Sequence, residues 1–97
     1  MEQQEKTPER IIKLIVLTNK TKLVSQVEQV GADIGEPDCK LTKPYEVVLQ
    51  EDGKLFLTRW LEGFASDDTF MMSSDKILTL TDPTPTLLEK YEDLTDG

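Results

Sequence analysis

An Asp-Gly pair separates two runs of apolar residues in the stretch 45–60, which reads YEVVLQEDGKLFLTRW. Asp-Gly between alternating apolar residues is typical of a β-hairpin with a two-residue type I′ turn, because both turn residues tolerate a positive φ. We therefore predict strands over residues 45–49 and 55–60, joined at Asp52 and Gly53. This hairpin is the strongest local signal in the chain, and the other predicted elements are placed around it.

A two-residue turn also determines which residues of the two strands lie opposite each other. In that register an aromatic pair and a pair of opposite charges are brought together, and each such pair stabilises a hairpin by about 0.2–1 kcal/mol. The expected pairs are Tyr45 with Trp60, Glu46 with Arg59, Val47 with Thr58, Val48 with Leu57, and Leu49 with Phe56.

Further β-branched and alternating stretches lie on both sides of the hairpin. They predict strands over residues 12–18, 22–30 and 76–80. After a bend at 63–69, residues 70–72 continue the second strand of the hairpin. Gly and Pro residues between 31 and 37 predict a loop.

Two short segments favour helix. Thr7-Pro8-Glu9 has the residues of a helix start and predicts a short N-terminal helical turn. Near the other end, Thr84 and Pro85 precede apolar residues at helical spacing, which predicts a C-terminal helix. Its apolar stripe consists of Leu87, Leu88, Tyr91 and Leu94.

Five short strands joined mostly by tight turns favour an all-β fold. We predict a small, strongly bent, five-stranded antiparallel barrel, and an open two-layer α+β domain is the alternative. A chain of 97 residues has room for one core, so residues 1–97 are expected to form one domain. The barrel would span about 8–82, with 83–97 as a C-terminal extension.

The composition argues against several kinds of active site. The chain has no His, which removes the usual general base and most zinc sites, and Cys39 is its single Cys. We therefore expect no enzyme activity, no cofactor and no metal site. The longest apolar runs are far shorter than the about 20 residues of a membrane span. These features favour a soluble protein of the cytoplasm with no membrane partner.

The negative charge is concentrated at one end. The formal net charge is −8, and residues 61–97 hold nine acidic but only two basic side chains. That last third of the chain would repel a polyanion. Basic residues are more frequent earlier in the chain, and the candidate cationic cluster is Lys13, Lys20, Lys22, Lys40 and Lys43.

Two stretches resemble the Sm-like (LSm) family. Residues 17–27, LTNKTKLVSQV, are similar to the first two strands of that family, although Lys20 and Ser25 stand where it prefers Gly. Residues 72–78, MSSDKIL, resemble its Ile-Arg-Gly-x-x-Val signature between strands four and five. The family's Asp-x-x-Met-Asn motif fits residues 38–42, DCKLT, if an insertion precedes them. The resemblance covers roughly residues 11–80 and would make the hairpin the arm of strands three and four.

The resemblance implies a homo-oligomeric ring. Sm-like proteins close into rings by pairing the fourth strand of one copy with the fifth strand of the next. Carried over to this sequence, the oligomer interface would contain Phe70, Met71, Met72, Ile77, Leu78 and Leu80. Each of these side chains, taken alone, is also consistent with an ordinary core position.

The resemblance further implies RNA binding or RNA chaperoning in the loops that line the pore. The corresponding positions are Lys40, Leu41 and Thr42 in one loop and Ser73, Ser74 and Asp75 in the other. Lys40 replaces the stacking aromatic residue and Ser73 replaces the Arg, so single-stranded RNA would bind weakly and with a strong dependence on salt. The alternative is an assembly or adaptor protein in which the same ring binds protein partners or serves a virus-related particle.

Overall fold

The computed structural model describes residues 11–96 and contains six strands and one α-helix. The predicted mainly β fold and the C-terminal helix are confirmed. In chain order the elements are β1 (Ile12–Leu17), β2 (Lys22–Gln29), β3 (Cys39–Leu49), β4 (Leu55–Arg59), β5 (Thr69–Met72), a 3₁₀ turn (Ser74–Lys76), β6 (Ile77–Thr81) and α1 (Pro85–Asp96). The predicted turn at Thr7-Pro8-Glu9 lies outside the described residues.

All strand pairs are antiparallel, and the strand order is β4-β3-β2-β1-β6. The long β3 pairs with β4 along residues 45–49 and with β5 along residues 39–42. The bend at 60–68 therefore divides one predicted strand into β4 and β5, which gives six strands rather than five. Within the described residues the sheet is not closed, since β4, β5 and β6 each pair with one strand.

The hairpin of β3 and β4 forms as predicted, but its turn has three residues. The Gly53 N–H donates to the Gln50 carbonyl at 2.9 Å, and the Gln50 N–H donates to the Lys54 carbonyl at 2.8 Å. Gly53 has φ 87°, whereas Asp52 is not in the left-handed region. A type I turn closed by a left-handed Gly has this pattern, and Asp-Gly suits it as well as the predicted type I′ turn.

The extra loop residue makes the predicted register wrong by one position. Val47 pairs with Leu57 and Val48 with Phe56. A shift of one residue exchanges the two faces of a strand. Consequently Val47 lies in the core, while the Val48 and Phe56 side chains are 48% and 54% exposed. The predicted aromatic pair is also absent, because Tyr45 pairs with Arg59.

The sheet has an apolar core on each face. Successive side chains of a strand point to opposite faces, and both faces of β1 and β2 carry apolar residues. One core cluster consists of Ile15, Leu17, Leu23 and Leu41, with Trp60, Met72 and Ile77 packed against it. The other cluster consists of Val24, Val47, Leu87 and Tyr91, with Leu14, Tyr45, Leu55 and Leu57 around it. The second cluster lies between the sheet and α1. The segment predicted as an extension is therefore part of the folded unit.

The hydroxyl of Tyr91 in α1 forms hydrogen bonds at an irregularity of the sheet. The register between β2 and β3 shifts between Val24 and Gln26, and Lys43 on β3 has φ 54°. The buried Tyr91 hydroxyl lies 2.8 Å from the Lys43 carbonyl and 3.2 Å from the Thr42 carbonyl. It also accepts a hydrogen bond from the Gln26 N–H at 3.2 Å. These groups lie where the ladder between β2 and β3 changes register, so the helix adds hydrogen bonds at the irregularity.

Candidate functional site

One carboxylate connects the loop before β3 with the turn between β5 and β6. Asp38 Oδ1 accepts a hydrogen bond from the Ser74 N–H, and Asp38 Oδ2 accepts one from Ser74 Oγ, both at 2.7 Å. The hydrogen bond from the Ser74 hydroxyl, followed by that from its N–H, lowers the pKa of the Asp38 carboxyl. We call this contact the Asp38–Ser74 junction. It brings together two segments that are 36 residues apart in the chain.

The first three predicted RNA-binding residues lie in a strand, not in a loop. Lys40, Leu41 and Thr42 belong to β3, where Lys40 pairs with Glu28 on one side and Met71 on the other. Leu41 is fully buried in the core, so its side chain is not available to a ligand. Lys40 and Thr42 are half-buried.

The other three predicted residues form the turn between β5 and β6, as expected. Ser74 is held by the Asp38–Ser74 junction, and the Ser73 carbonyl accepts a hydrogen bond from the Lys76 N–H at 3.0 Å. Asp75 is exposed. The turn therefore presents hydroxyl groups and a carboxylate, and no Arg replaces the one that is missing at Ser73.

The predicted interface residues divide into two groups. Phe70, Met72 and Ile77 are half-buried, and the last two pack against the first core cluster. Met71, Leu78 and Leu80 are 51%, 62% and 47% exposed. This exposed set lies on β5 and β6, which, like β4, each pair with one strand at a margin of the sheet. We call β5 and β6 the marginal strands.

A groove of about 370 Å³ lies beside the Asp38–Ser74 junction. Its walls are Val27, Gln29, Cys39, Ser74, Ile77, Leu78 and Leu80. Burial and then the charge of Asp38 raise the pKa of the Cys39 thiol above its ordinary value. A thiol with a raised pKa is a poor nucleophile at neutral pH, so the groove is better suited to contact than to covalent chemistry.

Sequence reasoning missed a second concave surface, at the bulge of β3. Lys43, Arg59 and Trp60 line a pocket there together with the end of α1. All three had been singled out in the sequence for other reasons, Lys43 as a cation and Arg59 and Trp60 as parts of the hairpin. Their proximity depends on the bulge and on the docking of the helix, and neither can be read from local spacing.

Within residues 11–96, no group of three or more His, Cys, Asp or Glu side chains is arranged to hold a metal ion. In the same range, no helix is long and apolar enough to cross a bilayer.

A family comparison covers almost the whole of the described chain. Residues 10–96 match a family of unknown function, DUF6561. The chain belongs to this family. The DUF6561 match extends from β1 to α1, so it includes the Asp38–Ser74 junction, both marginal strands and the helix that carries Tyr91. A search of curated proteins finds no match to the chain.

Proposed function

We propose that this protein is a non-catalytic subunit that assembles with copies of itself into a closed ring of Sm-like architecture. The proposal rests on the unpaired edges and the exposed apolar side chains of the two marginal strands. Both β5 and β6 have one edge without a strand partner within residues 11–96, and both expose apolar side chains.

The connection between the marginal strands supports a barrel-like bend. In a flat sheet with β3, β2 and β1 between them, β5 and β6 would lie roughly 19 Å apart. Residues 73–76 connect them, and three of these residues form a 3₁₀ turn, which rises only about 2 Å per residue. So short a connection favours a sheet that curls until its margins approach each other. A curled five-strand path is the geometry expected of the Sm-like family.

The Asp38–Ser74 junction supports the same resemblance. The family's Asp-x-x-Met-Asn motif, placed with an insertion before it, has its Asp at position 38. Asp38 is the residue that binds the turn at Ser74, where the second family signature was placed. The two signatures are thus in contact, as expected if both belong to one site.

Exposed strand edges favour self-association because their unpaired N–H and C=O groups can continue a sheet. The exposed Met71, Leu78 and Leu80 would add apolar contact to that pairing. When different edges of identical copies pair, the interface is heterologous, and it closes into a ring if the rotation between copies permits.

Edge variants test this assembly. Leu78→Glu places a charge on the exposed face of β6 and should shift the sedimentation coefficient towards that of a monomer. Phe64→Glu is the matched control, since Phe64 is 89% exposed in the bend between β4 and β5. If Leu78→Glu sediments like the wild type, β6 is not part of the interface.

RNA binding is a second candidate function, favoured by the contact between the two signature segments. Lys40 lies two residues from Asp38 and could contact a phosphate. The carboxylates of Asp38 and Asp75 oppose a polyanion, so affinity should be low and fall steeply with salt. Fluorescence anisotropy with oligo(U), using Lys40→Gln as the variant, tests this. Absence of binding at low salt would favour the adaptor alternative, in which the ring binds protein partners.

A further inference from the structure

The pocket at the bulge of β3 has an unusual lining for so acidic a protein. It measures about 140 Å³ and lies where β3, the end of β4 and the last turn of α1 meet. Two cations and two aromatic rings are among its walls. The lining residues are Lys43, Pro44, Tyr45, Arg59, Trp60, Asp68, Leu94 and Thr95.

Within residues 11–96, neither of the two cations of this pocket, Lys43 and Arg59, forms an ion pair with a carboxylate, whereas Lys13 does so with Asp82 at 2.6 Å. Asp68 is the acidic residue of the lining, and its Oδ1 accepts from the Thr69 hydroxyl at 3.4 Å. The pocket therefore keeps an excess of positive charge.

Main-chain contacts hold the pocket in place. Lys43 has φ 54°, a left-handed conformation that is unfavourable for a residue with a side chain. Its N–H donates to the Asp68 carbonyl at 2.6 Å, and its carbonyl accepts from the Tyr91 hydroxyl at 2.8 Å. The Trp60 N–H donates to the Pro44 carbonyl at 3.0 Å. Strained residues fixed from several sides occur often at binding sites.

We propose that this pocket binds the phosphate group of a nucleotide, either free or within single-stranded RNA. Arg and Lys together match a phosphate, and the planar guanidinium can donate two parallel hydrogen bonds to it. Tyr45 and Trp60 offer an apolar wall to the attached ribose or base. The volume suits one phosphate group, so the rest of the nucleotide would lie at the opening.

This site is separate from the one that the Sm-like resemblance implies. It uses neither Lys40 nor the turn at 73–75, and every lining residue comes from a single chain. The proposal therefore does not depend on ring formation. The cations also lie beside the last turn of α1, whose carbonyl groups carry partial negative charge. Lys43 and Arg59 therefore also stabilise this end of the helix. For that reason the thermal unfolding midpoint of each variant is measured together with its binding.

Trp60 makes the pocket directly observable, because it is the single Trp of the chain. Its emission is followed during titration with UMP, uridine and oligo(U) at low salt. We expect saturable changes with UMP, oligo(U) or both, and none with uridine. A response to UMP identifies a free nucleotide as the ligand of the pocket, and a response to oligo(U) alone identifies RNA. Equal responses to UMP and uridine, or no saturable response to any of the three, would overturn the proposal.

Variants locate the phosphate contact. Arg59→Gln should weaken binding by about tenfold or more, and Arg59→Lys by less, since Lys keeps the charge but loses the paired hydrogen bonds. Both should retain the thermal unfolding midpoint within a few degrees. Lys54→Gln is the matched control, because it removes an exposed cation at the other end of β4.

Two results would contradict this location. One is wild-type affinity in Arg59→Gln, and the other is an equal loss in Lys54→Gln. If Lys40→Gln abolishes oligo(U) binding while Arg59→Gln does not, RNA binds at the Asp38–Ser74 junction. That outcome rejects the pocket and leaves the RNA function in place.

Discussion

Tyr91 illustrates what one residue contributes to this fold. Its ring is fully buried against the sheet and contacts Tyr45 edge-on, with ring centroids 5.9 Å apart. Its hydroxyl forms hydrogen bonds with backbone groups of Gln26 and Lys43 beside the register shift between β2 and β3. Helical spacing was sufficient to assign Tyr91 to the apolar stripe of α1. The role of the hydroxyl could not be predicted, because the bulge was not.

Replacing Tyr91 by Phe removes the hydroxyl and its hydrogen bonds with the part-buried backbone groups of Gln26 and Lys43. We expect the free energy of unfolding to fall by about 1–3 kcal/mol. Urea denaturation at one fixed protein concentration measures this loss. Tyr45→Phe is the control, since the Tyr45 hydroxyl makes no hydrogen bond within residues 11–96, and it should change stability by less than about 0.5 kcal/mol. Equal effects of both substitutions would contradict the role of Tyr91.

The Asp38 carboxylate should make the Asp38–Ser74 junction sensitive to acid. Its pKa is lowered below the ordinary 3.8 by the two hydrogen bonds from Ser74. A lowered folded-state pKa means that the contribution to stability is complete above pH 3.8 and is lost as pH falls through the folded-state value. Thermal unfolding of wild type and Asp38→Ala should therefore differ at neutral pH and converge in strong acid. A difference that is constant across this range would exclude the carboxylate as its cause.

At the scale of elements, the sequence predicts positions well and registers poorly. The positions of β1, β2 and β6 were predicted within a residue or two, because β-branched or alternating stretches lie there between turn residues. The hairpin was also located correctly. Its register was not, since Asp-Gly fits turns of two or three residues and no local signal distinguishes them.

The observed register gives adjacent residues of β4 opposite roles. Leu57 packs against the second core cluster, whereas Phe56 is 54% exposed. We expect Leu57→Ala to cost about 1–3 kcal/mol and Phe56→Ala less than about 0.5 kcal/mol, both measured by urea denaturation. The register predicted from the turn would reverse the order, because there Phe56 shares a face with Val47. A larger effect at Phe56 would contradict the observed pairing.

The candidate sites, too, were predicted where a local signal exists and missed where the contact is between distant segments. Residues 73–75 were correctly placed in a turn, since Ser-Ser-Asp between apolar strands is a local signal. Residues 40–42 were assigned to a loop, yet they lie inside the 11-residue β3. The contact of Asp38 with Ser74 and the proximity of Lys43 to Arg59 are long-range, and patterns within one short segment do not contain them.

At the scale of the whole molecule, the fold leaves apolar surface at its margins. Both sheet faces are covered near the centre, one by α1 and the other by side chains that include Trp60, Met72 and Ile77. The marginal strands β5 and β6 remain open, and their exposed side chains are those that a ring of identical copies would cover. The concentration of acidic residues beyond position 60 would keep such an assembly soluble.

The molar mass in solution tests this assembly most directly. We expect light scattering at micromolar concentration to give a mass several times the 11.0 kDa of one chain, with a single discrete species, as a closed ring requires. A mass of one chain throughout the micromolar range would show that β5 and β6 do not pair between copies, and would contradict the proposed ring.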